Sequence, residues 1–177
     1  GGVERRVRFP MGSFTQVSPE ANATLVGALE EVLGFVEPHP RKVLELFAGA
    51  GNLSLVWPSS VERLMVVERD TAALEFFELN MGTSPPFSVE TRAGDISSGI
   101  GAGLNVQPGW FDVVLLDPPR EGALSTMSEL VTLDPRWIVY VSCDPATLSR
   151  DLQVLKDGGF EPMRLVAVEM FLATPHV

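Results

Sequence analysis

An apolar run closes on two spaced glycines in the stretch that decides the fold, Val43-Leu44-Glu45-Leu46-Phe47-Ala48-Gly49-Ala50-Gly51-Asn52. The run has the length of a short buried β-strand. Gly49 and Gly51 follow it, and without side chains they allow both a sharp turn and the close approach of a ligand to the backbone. The stretch therefore predicts a buried strand that ends in a ligand-binding turn.

Similar apolar runs recur along the chain and alternate with segments of helical period. Further strands are predicted at 64–67, 87–92, 111–116, 137–141 and 164–169. Helical patterns occupy 18–33, 53–57, 71–81, 124–130 and 145–156. Continuous apolar strands separated by helices are typical of a parallel sheet that is covered on both faces. The sequence thus predicts an α/β fold with a mostly parallel, doubly wound sheet.

Length and composition limit the class of protein. The chain has 177 residues, 45% apolar and 20% charged, which are the proportions of one ordinary globular domain. It carries 13 basic and 23 acidic residues, which give a net charge of −10. The bulk charge therefore indicates neither a nucleic acid nor an anionic membrane as partner, and a nucleic-acid partner needs local evidence.

Cysteine usage and hydropathy favour a cytoplasmic location. Cys143 is the single cysteine, which excludes an internal disulfide or a cysteine-ligated cluster within this chain and fits a reducing compartment. His39 and His176 show no ligand spacing, so we expect no metal site. No apolar run approaches the roughly 18 residues of a membrane span. We therefore expect a protein of the cytoplasm without a membrane segment.

Acidic residues follow several predicted strands. Glu68 stands at the end of the second strand, 19 residues after Gly49, close to the spacing of about 20 at which a carboxylate meets ribose hydroxyls. Asp95 and Asp117 follow the third and fourth strands. Because the carboxyl ends of parallel strands share one edge, these acids are expected to line one crevice. Alternatively, the glycines form only a tight turn and Glu68 is an ordinary surface residue.

The predicted crevice suits a cationic nucleoside better than a dinucleotide. The glycine stretch lacks the third glycine of the dinucleotide fingerprint, which lets helix and strand pack closely near the pyrophosphate. The surrounding carboxylates would also repel phosphates. A nucleoside that carries a sulfonium cation fits the expected field.

The lone thiol lies just beyond the fifth predicted strand. A free cysteine is often only a small buried apolar residue. Cys143, however, precedes a helix that begins at Pro145, and the amino terminus of a helix stabilises a thiolate. Asp144 opposes that effect unless its carboxylate caps the helix. The position therefore favours a nucleophile.

Four motifs together resemble the S-adenosylmethionine-dependent RNA uracil-5-methyltransferases. The resemblance runs from about Phe9 to Val177. The motifs that begin at Asp117 and at Val141 are specific to that family. The glycine motif is common to most methyltransferases. The motifs are Phe14-Thr15-Gln16, Asp117-Pro118-Pro119-Arg120-Glu121-Gly122, Val141-Ser142-Cys143-Asp144-Pro145-Ala146-Thr147-Leu148 and the glycine stretch Leu44–Asn52.

The resemblance implies a class I methyltransferase fold, S-adenosylmethionine as cofactor, and tRNA or rRNA as substrate. It implies Cys143 as the nucleophile that adds to C6 of uracil and so activates C5. It implies a role in orienting the base for Arg120. The residues implied around the cofactor are Gln16, Phe47, Gly49, Asn52, Glu68, Asp95 and Asp117. On this basis residues 1–17 form an N-terminal lead-in segment and residues 18–177 form the catalytic domain.

The sequence departs from the family pattern in four ways. In the family, a glutamate acts as the general base that removes the C5 proton. It is expected at position 178, directly after Val177, so we expect the biological chain to continue there. Asp144 stands where relatives usually have Asn. The sheet lacks the last strand of the fold, which inserts between strands five and six, and the N-terminal RNA-binding barrel of many relatives has no counterpart here.

Other functions stay open at this point. The domain could methylate a different substrate, or it could bind the cofactor without completing catalysis, which the acidic charge and the missing base favour. The one basic cluster comprises Arg5, Arg6 and Arg8. These arginines are either solvated charges on an edge strand or contacts to RNA phosphates.

Overall fold

The structure is a computed structural model that describes residues 7–11, 18–96, 100, 104 and 106–169. Four helices lie at Pro19–Leu33 (α1), Thr71–Met81 (α2), Leu124–Leu133 (α3) and Pro145–Asp157 (α4). Five strands lie at Lys42–Leu46 (β1), Arg63–Glu68 (β2), Ser88–Ala93 (β3), Val113–Leu116 (β4) and Trp137–Tyr140 (β5). None of the described helices has the length and apolar character needed to cross a membrane.

All described strands are parallel and lie in the order β3-β2-β1-β4-β5. The central strand β1 pairs on both sides, with Leu44 opposite Met65 on β2 and opposite Val114 on β4. The chain first winds from β1 to β3 and then returns to the other side of β1 for β4. This reversal places the topological switch point beside β1, where such sheets bind ligands.

Alternate residues of β1 enter two separate cores, one on each face of the sheet. Val43 packs with Leu25 and Leu29 of α1 in one core. Leu44 packs with Met127 and Leu130 of α3 in the other. Successive side chains on a strand point to opposite faces, so a strand that is apolar at both positions must be covered twice. The predicted doubly wound parallel sheet is confirmed.

The helices begin where their capping residues stand. Ser18 caps α1, because its Oγ accepts a hydrogen bond of 3.1 Å from the amide of Ala21, and Pro19 occupies the first turn. Asp70 caps α2 and accepts hydrogen bonds of 2.9 and 3.3 Å from the amides of Ala72 and Ala73. The cap at Asp70 fixes the chain directly after the end of β2, beside the switch point.

Two predicted elements are wrong. The predicted helix at 53–57 is only a single 3₁₀ turn at Leu53–Val56. The predicted sixth strand at 164–169 has no regular secondary structure, and these residues pair with no described strand. A strand needs a neighbour that completes its hydrogen bonds, and apolar alternation alone does not supply one. Arg164 instead contacts Glu31 and lies over the ring of Phe35.

Replacement of Gly51 tests the packing behind the glycine turn. Gly51 has φ of +83°, and an added Cβ would lie 2.7 Å from Cδ2 of Phe77. We expect Gly51→Ala to lower the free energy of unfolding by about 2–4 kcal/mol, since it adds backbone strain to overpacking.

Gly27→Ala is the matched control for this substitution. Gly27 lies in α1 with no atom within 4 Å of an added Cβ. Alanine there should raise the free energy of unfolding by about 0.5–1 kcal/mol, because it restricts the unfolded chain. Urea unfolding of both variants measures the contrast, and equal changes of the same sign would contradict the packing described.

Candidate cofactor pocket and nucleophile

A pocket of about 250 Å³ opens at the carboxyl ends of β1, β2 and β4. Its volume is slightly below the range of about 300–1,000 Å³ that is usual for small-molecule sites. Five residues implied by the sequence line it together, namely Phe47, Gly49, Asn52, Glu68 and Asp117. Phe9 and Pro10 of the lead-in segment also contribute to its wall. The acids and glycines that lie far apart in sequence therefore meet at one crevice.

Glu68 connects the end of β2 to the glycine turn. Its Oε2 accepts a hydrogen bond of 3.0 Å from the amide of Gly49, and its Oε1 accepts one of 2.8 Å from the amide of Asp70. Each carboxylate oxygen has two acceptor positions, so both oxygens can still accept a further hydrogen bond. Glu68 thus shapes the turn and offers acceptors of the kind that ribose hydroxyls require.

The turn after β1 uses unusual backbone conformations. Phe47 has φ of +60°, which is uncommon for a residue with a side chain, and Gly49 has φ of +56°. The turn is held by a 3.1 Å hydrogen bond from the amide of Phe47 to the carbonyl of Val67. No atom lies within 4 Å of a Cβ placed on Gly49, so this side of the turn is open to a ligand. Left-handed residues beside an open pocket are typical of binding sites.

Asn22 of α1 and Asn80 of α2 hold the far side of the glycine turn through side-chain hydrogen bonds. Asn52 and Asn22 of α1 exchange two side-chain hydrogen bonds, of 3.1 and 2.6 Å. Asn80 of α2 donates to the carbonyl oxygens of Ala50 and Arg8, both at 2.8 Å. The amide of Arg8 donates back to Asn80 at 2.9 Å. The lead-in segment is thereby fastened to the wall of the pocket.

Two carboxyl groups at the pocket floor hold their protons unusually tightly. Burial raises the pKa of Glu45 to about 7, and the nearby charge of Asp117 adds to that effect. Burial also raises the pKa of Asp117 to about 7. Ser54 and Trp57 donate hydrogen bonds of 2.8 and 3.1 Å to Glu45, which partly offset its burial. A cation bound here would favour the ionised forms of both groups.

Glu45 is the site residue that the sequence interpretation did not identify. It is only 2% exposed and lies in β1 between fully apolar neighbours. The sequence did show an acid in the middle of an otherwise apolar strand. Because acidic residues are almost never fully buried unless they have polar partners, this position indicated a special role. Its position next to the glycine turn brings it to the pocket that the other acids surround.

Three other predicted site residues, Asp95, Arg120 and Cys143, do not line this pocket. Asp95 is exposed after β3 and does not line the pocket. Gln16 falls outside the described residues. Arg120 and Cys143 are both exposed, in the segments that follow β4 and β5. The cofactor residues and the thiol therefore occupy neighbouring strand ends rather than one shared wall.

The segment that carries Cys143 is closely tied to the strand beside it. The amide of Val141 donates a 2.9 Å hydrogen bond to the carbonyl of Leu116, which extends the β4–β5 register past the strands. Asp144 caps α4 and accepts hydrogen bonds of 2.9 Å from the amides of Ala146 and Thr147. The bond from Thr147, followed by that from Ala146, lowers the pKa of Asp144. The Asp144 carboxylate, which follows the thiol in sequence, is therefore engaged in hydrogen bonds to the first turn of α4.

The described part of the chain contains no group of three His, Cys, Asp or Glu side chains placed to hold a metal ion.

Comparison with known proteins gives consistent matches. The sequence pattern described as tRNA (Uracil-5-)-methyltransferase matches residues 102–177. The 23S rRNA (uracil(1939)-C(5))-methyltransferase RlmD of Aeromonas salmonicida (strain A449) is 38% identical over 169 residues, which are 96% of this chain and 38% of the relative. The RlmD of Cronobacter sakazakii (strain ATCC BAA-894) is 37% identical, over 97% of this chain and 39% of the relative. The chain spans about two fifths of the length of these curated relatives.

The chain is similar in sequence to RNA uracil-5-methyltransferases over nearly its whole length. Among solved structures, it resembles the Pyrococcus abyssi tRNA (uracil-54, C5)-methyltransferase in complex with S-adenosyl-L-homocysteine, with a TM-score of 0.64 and 26% identity over 81% of this chain and 34% of that one. The ribosomal protein L11 methylase of Lactobacillus delbrueckii subsp. bulgaricus shares the fold at 15% identity and a TM-score of 0.63, over 81% and 72% of the two chains. The predicted class I methyltransferase fold is confirmed.

The substitution Glu45→Gln tests the raised pKa of the Glu45 carboxyl on the pocket floor. The pKa of Glu45 is about 7 in the folded protein, against an ordinary value of 4.5. The contribution of this carboxyl to stability is therefore complete below pH about 4.5 and is lost as the pH rises towards about 7. Gln resembles the protonated acid and does not titrate.

We expect the variant to gain stability relative to the parent as the pH rises from 4.5 to 8. The difference in free energy of unfolding between the two should change by about 1–3 kcal/mol over that range. Denaturant unfolding of the cofactor-free proteins measures it at each pH. A difference that is constant over the range would show that Glu45 titrates normally.

Proposed function

We propose that this protein transfers a methyl group from S-adenosylmethionine to C5 of a uridine in RNA, with Cys143 as the nucleophile. The observation that carries the proposal is the placement of two segments side by side. The pocket ends at Asp117 after β4, and Cys143 follows the adjacent strand β5. A cofactor in the pocket and a base beside the thiol would thus meet at one edge of the sheet.

The pocket residues fit S-adenosylmethionine by chemistry and shape. Gly49 leaves open space beside the turn, and Glu68 keeps acceptor positions free for ribose hydroxyls. Glu45 and Asp117 place two carboxyl groups with raised pKa values at the floor, where a cationic ligand would stabilise their ionised forms. The family relative from Pyrococcus abyssi was solved with the demethylated form of this cofactor.

The proposed chemistry assigns a covalent step to Cys143. When bound, S-adenosylmethionine supplies an electrophilic methyl group. Cys143 would add as thiolate to C6 of uracil and move the electron pair of the C5–C6 double bond to C5. C5 would then take the methyl group, and the methyl–sulfur bond would break with its electron pair staying on the departing thioether sulfur. Loss of the C5 proton to a base restores the double bond and expels the thiolate. The amino terminus of α4 lies directly after Cys143.

We assign the substrate to ribosomal RNA in the cytoplasm, with residues 18–177 as the catalytic domain and 1–17 as the lead-in segment. The Aeromonas and Cronobacter relatives, which carry the name of a 23S rRNA methyltransferase, support rRNA over tRNA. Arg120 is exposed beside the pocket edge and can donate several hydrogen bonds to a base or a phosphate. RNA contact elsewhere would have to be local, since the net charge is −10.

RNA that contains 5-fluorouridine tests the covalent step. Fluorine replaces the proton that must leave C5, so after methyl transfer the thiol cannot be expelled. We expect the full chain to form a stable adduct with an rRNA fragment in the presence of S-adenosylmethionine, detected by a shift in denaturing gels and by mass spectrometry at Cys143. Cys143→Ala should abolish the adduct but bind the cofactor as the parent does.

Two outcomes of this experiment oppose the proposal. If the parent binds S-adenosylmethionine but forms no adduct, the protein is a cofactor-binding module or a methyltransferase of another substrate. If Cys143→Ala still forms the adduct, another residue is the nucleophile. Normal uridine in the same RNA fragment is the control, because its C5 proton can leave and no adduct should persist.

Glu68→Gln tests the cofactor pocket independently of RNA. The substitution removes the charge and one of the two acceptor oxygens that hold Gly49 and Asp70. Hydrogen bonds to charged groups contribute about 1.5–3 kcal/mol, so we expect S-adenosylmethionine to bind at least about tenfold more weakly. Glu75→Gln on the exposed face of α2, outside the pocket wall, should bind as the parent does. Calorimetric affinities that are equal for both variants would remove Glu68 from the site.

A further inference from the structure

The loop between β4 and α3 is hydrogen-bonded to α4 at three positions. We call residues 117–123 the Asp117 loop. Oγ1 of Thr147 lies 3.1 Å from the carbonyl oxygen of Arg120, and Nη2 of Arg150 donates to the carbonyl oxygen of Glu121 at 2.8 Å. The amide of Ala123 donates to Oδ2 of Asp151 at 2.6 Å. Residues 147, 150 and 151 lie on one face of the helix, as expected for a spacing of three and four.

Asp151 is the centre of this contact. Its side chain is fully buried, and both of its oxygens are occupied. Oδ2 also accepts a 2.7 Å hydrogen bond from the hydroxyl of Tyr140 at the end of β5. Oδ1 accepts bonds of 2.9 and 2.7 Å from Nε and Nη2 of Arg150. A buried carboxylate with four donors fixes the elements that carry those donors, since loss of any donor leaves it under-satisfied.

The glycine of the Asp117 loop allows this close approach. Gly122 has φ of +75°, and a Cβ placed on it would lie 2.6 Å from Oδ2 of Asp151 and 2.8 Å from Nη2 of Arg150. Its amide closes a turn by donating to the carbonyl of Pro119 at 2.9 Å. The absence of a side chain is therefore required for the loop to reach the helix.

The geometry points to Thr147, Arg150 and Asp151 as positioning residues that hold the Asp117 loop against α4, and thereby fix Arg120 relative to Cys143. The inference rests on the proposed function, in which Cys143 attacks the uridine and Arg120 donates hydrogen bonds to the base or to a phosphate. Cys143 moves with α4, because the next residue, Asp144, caps that helix. Arg120 moves with the Asp117 loop. Attack on C6 requires both to be placed correctly at once, since small displacements of reacting groups slow such steps strongly.

Thr147 offers the sharpest test because valine keeps the shape of threonine without its hydroxyl, whereas serine keeps the hydroxyl without the methyl group. Thr147→Val removes the contact with Arg120, together with the weaker contacts of the same hydroxyl with Asp144 at 3.2 and 3.4 Å. The backbone cap from Asp144 to the amides of 146 and 147 is retained. We expect adduct formation with 5-fluorouridine RNA to slow roughly three- to tenfold, the effect of one lost hydrogen bond, with unchanged affinity for S-adenosylmethionine. Thr147→Ser should restore the parent rate within about twofold.

A second variant and a control separate positioning from general weakening of α4. Arg150→Lys keeps a cation beside Asp151 but loses the fork that also reaches Glu121, so it should slow adduct formation as well. Gln153→Ala removes a 2.8 Å surface hydrogen bond to Asp157 on the same helix, away from the loop, and should leave the rate unchanged.

The results distinguish the failure of this inference from that of the proposed function. If the parent forms the adduct and both Thr147→Val and Arg150→Lys match it in rate, the positioning role is refuted while the function stands. Equal slowing in Gln153→Ala, or a loss of cofactor affinity that accounts for the slower rate, refutes it too. If the parent forms no adduct, the proposed function fails and the positioning role falls with it.

Discussion

Parallel pairing of β1 on both of its edges is the constraint on which the rest of the structure depends. Its backbone hydrogen bonds are shared between β2 and β4, and four of its five residues are buried. Because the three strands run in one direction, their carboxyl ends lie at the same edge, and the reversal of winding leaves a crevice there. Gly49, Glu68 and Asp117 meet for this reason, and the hydrogen bond between Gly49 and Glu68 then joins two of them.

The strand ends at this edge of the sheet could be predicted from the sequence because they depend on local patterns. A strand buried on both faces must be apolar at successive positions, and the residue after it can be polar only where a ligand or solvent is present. The offset between Gly49 and Glu68 predicted a shared site, and the structure adds the 3.0 Å hydrogen bond that joins them. The capping role of Asp144 was also readable, because Asp before Pro at a helix start has a defined function.

The parts that sequence patterns did not predict depend on partners distant in the chain. The buried state of Glu45 follows from the two neighbours of β1, and that of Asp151 follows from Tyr140 and from a loop 28 residues away. Apolar alternation at 164–169 predicted a strand, but strand formation is decided by a neighbour that no local pattern contains. Phe47 in a left-handed conformation is likewise a property of the turn as a whole.

The acidic composition acquires a physical meaning when the carboxylates are sorted by their donors. Glu68, Asp70, Asp144 and Asp151 each accept hydrogen bonds from backbone amides, so they serve as structural anions at turns and helix starts. Burial leaves Glu45 and Asp117 with pKa values near 7, so their ionised forms are insufficiently compensated within the protein itself. The four carboxylates that accept from backbone amides stabilise the turns and helix starts at the edge of the sheet. A bound cation would stabilise the ionised forms of Glu45 and Asp117. The net charge of −10 is therefore compatible with the proposed action on RNA, because these six of the 23 acidic residues belong to turns, helix starts and the pocket floor.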